Sequence, residues 1–237
     1  MSNPNLAILE LVANALGPVC EDVVFVGGCA TGLLLTQVRP DRIRITEDVD
    51  IIAQALTARD YHAIESKVRA RGFSNDMRPG APICRWVYGS VTVDVMPTVQ
   101  DILGFANRWY PLAVETATPV ALASGMIIRL INAPVFIATK LEAFHDRGRN
   151  ADGQPDYLGS HDLEDIITVV DRRPELLTEC AAAPGELRAY LAAAFKHLLA
   201  DADFNTSLAG HLPGDASSQG RLQKLRDTLR EFLNLMR

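Results

Sequence analysis

The stretch RIRITEDVDII, residues 42–52, decides the fold of this chain. Its apolar and polar residues alternate, so a β-strand would turn Val49 and Ile51 to one face. Asp48 and Asp50 would then share the opposite face. Two carboxylates that project in parallel repel each other, and together they suit a divalent cation that prefers hard oxygen ligands. The stretch therefore predicts a strand that carries two ligands of a metal ion.

Two other features of the first hundred residues belong with this strand. Residues 23–26 are a short β-branched and aromatic run that ends at Gly27 and Gly28. Backbone N–H groups can approach a triphosphate closely there, because no Cβ intrudes and a helix follows. A predicted hairpin, residues 84–95, carries Asp94 as a third carboxylate. Three carboxylates can hold two ions about 3.5 to 4 Å apart, which clamp the attacking and leaving oxygens of phosphoryl transfer.

The glycine pair followed by TEDVD, residues 46–50, resembles the glycine pair and [ST]-x-D-x-D motif of polymerase-β-like nucleotidyltransferases. The resemblance implies an α+β fold, with a core of mixed β-sheet and flanking helices followed by a mostly helical C-terminal lobe. It also implies Mg²⁺ or Mn²⁺ as cofactor and a nucleoside triphosphate as substrate. The residues that it implicates are Asp48, Asp50 and Asp94 as metal ligands, of which Asp94 also takes the acceptor's proton, and Gly27, Gly28 and Thr46 at the nucleotide.

The second half of the chain narrows the resemblance. The run from Lys140 to Arg147 and the run HDLED, residues 161–165, look like the K-L-x-A and D-x-x-D helices of the AbiEii-type toxin branch. That branch includes the toxins of toxin–antitoxin pairs, so it implies transfer of NMP to an RNA or tRNA end and an antitoxin partner. Carried over, Lys140 and Asp162 become catalytic, and Lys140, Arg147 and Asp165 bind the nucleotide.

The residues of the second half also have plainer interpretations. Lys140 and Arg147 are seven positions apart and share one helical face, where they would form an exposed stripe if they paired with neighbouring acids such as Glu142. Asp162 and Asp165 follow a serine, as the acidic first turn of an N-capped helix does. Both interpretations stay open at the level of sequence.

The pattern of elements predicts two domains, a nucleotidyltransferase core over residues 1–118 and a helical domain over residues 119–237. Strand patterns are frequent before this boundary and almost absent after it. A Gly-, Ser- and Asp-rich segment, residues 201–220, is interpreted as a loop. Helical spacing predicts helices over residues 6–16, 30–35 and 58–70 in the first domain and 120–130, 134–146, 161–172, 186–199 and 221–236 in the second.

Composition limits the setting of this chemistry. The 237 residues carry a net charge of −6, so any contact with nucleic acid must be local. Four widely spaced cysteines predict buried, reduced thiols and not a zinc site. Residues 119–138 are apolar but include Arg129, so we expect no membrane span and a cytoplasmic protein.

Other functions remain possible for the same residues. The nucleotide could pass to a small molecule, such as an aminoglycoside, or to a protein hydroxyl. The chain could also be a catalytically inactive module that binds a nucleotide. A dinucleotide-binding oxidoreductase is disfavoured, because with Gly27 first and Gly32 last the middle glycine of the fingerprint would fall at Cys29.

Overall fold

The structure is a computed structural model that describes residues 3–37 and 43–236. Over these residues the chain has an α+β fold, with helices beside one mixed seven-stranded sheet. The α+β class predicted from the sequence is therefore confirmed. Two compact units divide the described residues: a sheet unit, residues 3–33 and 43–132, and a helical unit, residues 34–37 and 133–236.

The elements of the sheet unit alternate between strands and helices. Its helices are α1 (Leu6–Leu16), α2 (Gly27–Leu34), α3 (Ala58–Ala70), α4 (Gln100–Leu103) and α5 (Tyr110–Thr116), with a 3-10 turn at Gly17–Glu21. Its strands are β1 (Val23–Val26), β2 (Asp48–Ala53), β3 (Ser74–Asn75), β4 (Arg85–Tyr88), β5 (Val91–Met96), β6 (Thr118–Ala121) and β7 (Ile127–Leu130).

The helical unit is built from elements that follow Asn132. Its helices are α6 (Ala133–Arg147), α7 (His161–Arg172), α8 (Leu176–Ala181), α9 (Gly185–Ala200), α10 (Ala202–Ser207), α11 (Ala216–Gln219) and α12 (Leu222–Glu231), with 3-10 turns at Leu208–His211 and Phe232–Asn234.

The sheet has the strand order β3-β4-β5-β2-β1-β7-β6. The pairs β2–β5 and β1–β7 are parallel, and the remaining pairs are antiparallel. All four residues of β1 are buried, although neighbouring residues of a strand point to opposite faces. Both faces of the sheet are therefore covered at β1, which places this strand and its neighbour β2 in the core.

Helix packing fixes the strands that carry the acidic residues. Leu9, Ala13 and Leu16 on the apolar stripe of α1 are fully buried, as their helical spacing predicts. Helix α3 is capped by Thr57, whose side chain accepts a hydrogen bond from the Asp60 amide. The hydroxyl of Tyr61 on this helix donates to the carbonyl of Val95 at 2.6 Å, which ties α3 to β5.

The helix predicted over residues 120–130 is wrong. This segment forms the hairpin of β6 and β7, which extends the sheet and carries the sheet unit to Asn132, beyond the predicted boundary at residue 118. Gly125 has φ +84° in the turn, a conformation that an uninterrupted helix does not contain. An apolar run this short does not by itself distinguish a buried strand from a helix, and here the pairing with β1 decides.

Two other expectations need correction. The predicted loop at residues 201–220 contains α10 and α11, because Asp201 and Asp215 each accept hydrogen bonds as N-cap residues. The strand predicted from residue 42 begins at Asp48 instead, since residues 43–47 form no strand pairing. Residue 42 itself lies outside the described residues. The helices predicted near residues 6, 58, 134, 161, 186 and 221 are all present.

All four cysteines are free and buried, as the sequence predicts. Among the helices that the structure describes, none is long and apolar enough to cross a membrane.

Candidate functional site

A row of residues runs across four neighbouring strands of the sheet unit. Asp50 on β2 lies opposite Asp94 on β5, and Asp94 lies opposite Arg85 on β4. On the other side, Asp50 lies opposite Val26, the last residue of β1. Residues opposite each other on paired strands share a face, so this register brings one cation and two carboxylates together.

The predicted acidic group is assembled in the structure. One ligand oxygen from each of Asp48, Asp50 and Asp94 lies within 4.8 Å of the other two. Asp94 is the most enclosed, with a side chain 12% exposed, while that of Asp48 is 41% exposed. A group that is closed at one end and open at the other can bind an ion and still admit a ligand from solvent.

Gly27 is required by the position of Asp50. Helix α2 begins at this residue directly after β1, and Gly27 has φ +71°. A Cβ at Gly27 would overlap the carboxylate of Asp50 and lie 2.7 Å from the Asp50 Cβ. The glycine therefore makes the room that the Asp50 side chain occupies, and it places the N-terminus of α2 at the acidic group.

Thr46 lies beside the second glycine. A Cβ at Gly28 would come 2.6 Å from the Thr46 methyl group, so the two residues are in close contact. Thr46 is 7% exposed, and its buried hydroxyl finds no hydrogen-bond partner among the described residues. A buried hydroxyl without a partner is costly, which indicates that a ligand completes this part of the site.

Asn5, which is not predicted from the sequence, holds the segment before β2. Its side chain donates to the carbonyl of Arg44 at 2.9 Å and accepts from the amide of Thr46 at 3.1 Å. The Asn5 side chain is fully buried. It replaces the strand pairing that this segment lacks and so fixes Thr46. No spacing rule marks an asparagine for this role.

Arg85 was also missed, and it changes the electrostatics of the acidic group. Its Nε and Nη2 donate to the two oxygens of Asp94 at 2.8 and 2.7 Å, and Nη2 lies 3.6 Å from Asp48 Oδ2. The hydrogen bonds to Asp94 raise the pKa of the Arg85 guanidinium, and the attraction of Asp48 adds to this. The acidic group therefore already contains one permanent positive charge.

The donor set fits a hard divalent cation. Asp48 and Asp50 supply carboxylate oxygens, and Gly27 leaves room for the Asp50 side chain. The Thr46 hydroxyl has no hydrogen-bond partner among the described residues and can donate to a ligand. The neighbouring Cys84 offers no softer ligand, because burial and the Asp94 carboxylate raise the pKa of its thiol to about 12. These residues suit Mg²⁺ or Mn²⁺ better than a thiophilic metal.

The helical unit holds a second group of charged residues, those predicted from the K-L-x-A and D-x-x-D runs. The ammonium of Lys140 lies 3.0 Å from Asp162 Oδ1 and 2.7 Å from Asp165 Oδ2, and all three residues are at most 8% exposed. Arg147 also donates to Asp162 at 3.0 and 3.1 Å. The exposed-stripe interpretation is therefore wrong for Lys140, which is buried between α6 and α7.

Electrostatics keep the Asp162 carboxylate ionised. Burial alone would raise its pKa, but the attraction of Lys140 and the hydrogen bonds from Arg147 outweigh burial and lower it. Ser160 caps α7 by accepting from the Leu163 amide at 3.4 Å, so the N-cap interpretation of this segment is confirmed as well. A pocket of about 270 Å³ opens here, lined by Arg147, Gly148, Arg149, Asp156, Gly159, Ser160, His161 and Asp162.

The structure thus gathers the predicted residues into two groups. The sheet unit contains Asp48, Asp50, Asp94, Gly27, Gly28 and Thr46, and the helical unit contains Lys140, Arg147, Asp162 and Asp165.

Comparison with protein-family profiles and with curated proteins finds no match for the chain.

Proposed function

We propose that this protein is a metal-dependent nucleotidyltransferase with a polymerase-β-like core, which transfers an NMP from an NTP to an acceptor hydroxyl. One observation carries the proposal: three carboxylates converge within 4.8 Å beside a glycine helix start and a buried hydroxyl without a partner. A structural ion pair would require neither the glycine at position 27 nor a vacant donor at Thr46.

The residues of the sheet unit divide the work of this reaction. Asp48 and Asp50 hold magnesium, which when bound polarises the α-phosphoryl group and offsets the charge of the leaving pyrophosphate. Backbone N–H groups at the start of α2 receive the phosphates, because Gly27 and Gly28 leave their approach open. The hydroxyl of Thr46 donates to the same phosphates.

Asp94 is the proposed proton acceptor. A carboxylate has about four lone-pair positions, and Arg85 engages one on each oxygen of Asp94. The remaining positions can take the proton of the acceptor hydroxyl as its oxygen bonds to the α-phosphorus and the bond to pyrophosphate breaks. The roles at the nucleotide that the AbiEii-type resemblance implies for Lys140, Arg147, Asp162 and Asp165 stay predictions.

The proposed acceptor is an RNA end, with the tRNA 3′ terminus as the first candidate, and the proposed partner is an antitoxin protein. The test is incubation of the protein with each radiolabelled NTP, Mg²⁺ and total RNA. We expect the RNA to be labelled by wild type and not by Asp48→Asn, whose amide keeps the shape of the side chain and removes its charge. Asp101→Asn, at an exposed aspartate, serves as the control and should retain full activity. Labelling that persists in Asp48→Asn would remove the assigned role.

A small-molecule or protein acceptor is the second candidate, and the net charge of −6 favours it over a long polyanion. RNA binding at several salt concentrations separates the two. A site that contacts RNA phosphates loses affinity steeply as salt rises, whereas an absence of RNA binding at low salt would favour the small acceptor.

A further inference from the structure

Arg85 brings a fixed positive charge into the acidic group. The guanidinium donates to both oxygens of Asp94 in a bidentate pair and also reaches Asp48 at 3.6 Å. It therefore lies on the side of the group where Asp94 would serve a second ion. Arginine stays protonated at any pH at which the protein is folded, so this charge is permanent.

The backbone fixes Arg85 in this place. Arg85 and Asp94 are directly opposite in the antiparallel β4–β5 pair, and Asp94 is in turn opposite Asp50 in the β2–β5 pair. The Arg85 side chain is 25% exposed, and a bidentate pair adds geometric constraint. The guanidinium is consequently part of the site and not a mobile surface charge.

Charge balance then limits how many divalent ions the group can take. The three carboxylates and the guanidinium of Arg85 leave two net negative charges, and the guanidinium of Arg44 beside Gly28 reduces the negative charge further, so a single divalent ion is enough to neutralise the group. A second ion would add two positive charges beside a guanidinium that already engages Asp94. Like charges at such short range are strongly unfavourable unless one of them leaves.

We propose that Arg85 is the resident cation at Asp94, so that the site takes one divalent ion, held by Asp48 and Asp50, where the sequence predicted two. This inference rests on the proposed function. Arg85 acts as a positioning residue: it orients Asp94 and supplies the electrostatic part of a second ion, since arginine and magnesium can each clamp a transferring phosphoryl group.

The test is the number of Mn²⁺ ions bound per chain, measured by electron paramagnetic resonance of free Mn²⁺ during a titration. We expect one ion for wild type and two for Arg85→Gln, and the first ion should bind Arg85→Gln at least about tenfold more tightly because a nearby positive charge is gone. Arg85→Lys keeps the charge and should stay at one ion. Arg78→Gln, at an arginine whose side chain is 69% exposed, is the matched control and should behave as wild type.

The outcomes separate the two proposals. Two ions in wild type, or one ion of unchanged affinity in Arg85→Gln, would overturn the inference and leave the proposed function standing. No ion in either protein would refute the proposed function itself. Circular dichroism verifies that Arg85→Gln is folded, and if it is not, the count in wild type and Arg85→Lys decides between one ion and two.

Discussion

Replacement of Gly27 by alanine should separate the geometry of the metal site from the stability of the fold. Gly27 has φ +71°, where an alanine costs about 1 to 2 kcal/mol. Its new Cβ would lie 2.7 Å from the Cβ of Asp50, whereas carbon atoms in contact are about 3.5 to 4 Å apart. Rotation of the Asp50 side chain does not move the Asp50 Cβ, so it cannot relieve this overlap. The backbone of β2 or α2 must therefore move by about 1 Å.

A shift of that size is large for a metal ligand. Distances in a metal site are defined to about 0.2 Å, and disturbance of the residues that orient a ligand typically weakens metal binding by about 10- to 100-fold. We therefore expect Gly27→Ala to bind Mn²⁺ about 10- to 100-fold more weakly than wild type. The assay is a Mn²⁺ titration, together with denaturant unfolding of the same preparation.

Gly104 provides the matched control. It also has positive φ, +83°, but a Cβ there would meet no atom within 4 Å. Gly104→Ala should therefore lose a similar 1 to 2 kcal/mol of stability, on the order given by the backbone cost alone, and keep its affinity for Mn²⁺. Equal Mn²⁺ affinity in Gly27→Ala and Gly104→Ala would refute the reasoning.

Two further predictions concern single side chains of the two groups. Thr46→Val should raise the free energy of unfolding by about 1 kcal/mol, because it removes a buried hydroxyl without a partner, and should weaken binding of Mg²⁺–ATP in calorimetry. Thr98→Val is its counterpart, since the Thr98 hydroxyl donates to the Ala55 carbonyl, and it should lower stability instead; a loss of stability in both would contradict the prediction. Asp162 has a lowered pKa in the folded protein, so its ionised form contributes stability that is fully present above the usual value of 3.8 and is lost as pH falls through the lower, folded value. The free energy of unfolding of wild type and of Asp162→Asn should be measured from pH 7 downward. We expect the stability difference in favour of wild type to be constant at first and to shrink below about pH 3.8, whereas a difference that grows as pH falls would contradict the lowered pKa of Asp162.

The sequence was sufficient to place Asp48 and Asp50 together because strand geometry is local. Alternation along residues 42–52 placed Asp48 and Asp50 on one face, and the structure has both on β2. The two-residue turn at Gly89 and Ser90 places Arg85 opposite Asp94, since the hairpin pairs Tyr88 with Val91. That partner of Asp94 was therefore within reach of the same rule, although it was not recognised.

Other features depended on tertiary structure. The parallel pairing of β2 with β5, which brings Asp50 beside Asp94, joins strands separated by helix α3 and strands β3 and β4, and no local pattern specifies it. Asn5 acts on Thr46 across 41 positions of sequence. The hairpin of β6 and β7 looked helical because its apolar residues fit either period, and only the place beside β1 selected the strand.

The burial of Lys140 could not be predicted from the sequence. Its spacing from Arg147 indicated a shared helical face but not whether that face was exposed or buried. Burial came from the packing of α6 on α7, which brings Asp162 and Asp165 to the ammonium at 3.0 and 2.7 Å. A charged residue in a helix is usually solvated, so a buried ion network of this kind can be predicted only when the facing helix is known.

The most direct measurement is anomalous diffraction from crystals of the wild-type protein grown with Mn²⁺. We expect one anomalous peak within bonding distance of carboxylate oxygens of Asp48 and Asp50, with Arg85 still paired to Asp94. A crystal that shows no manganese at these carboxylates, although the ion is abundant in the solution, would contradict the claim that they form a metal site.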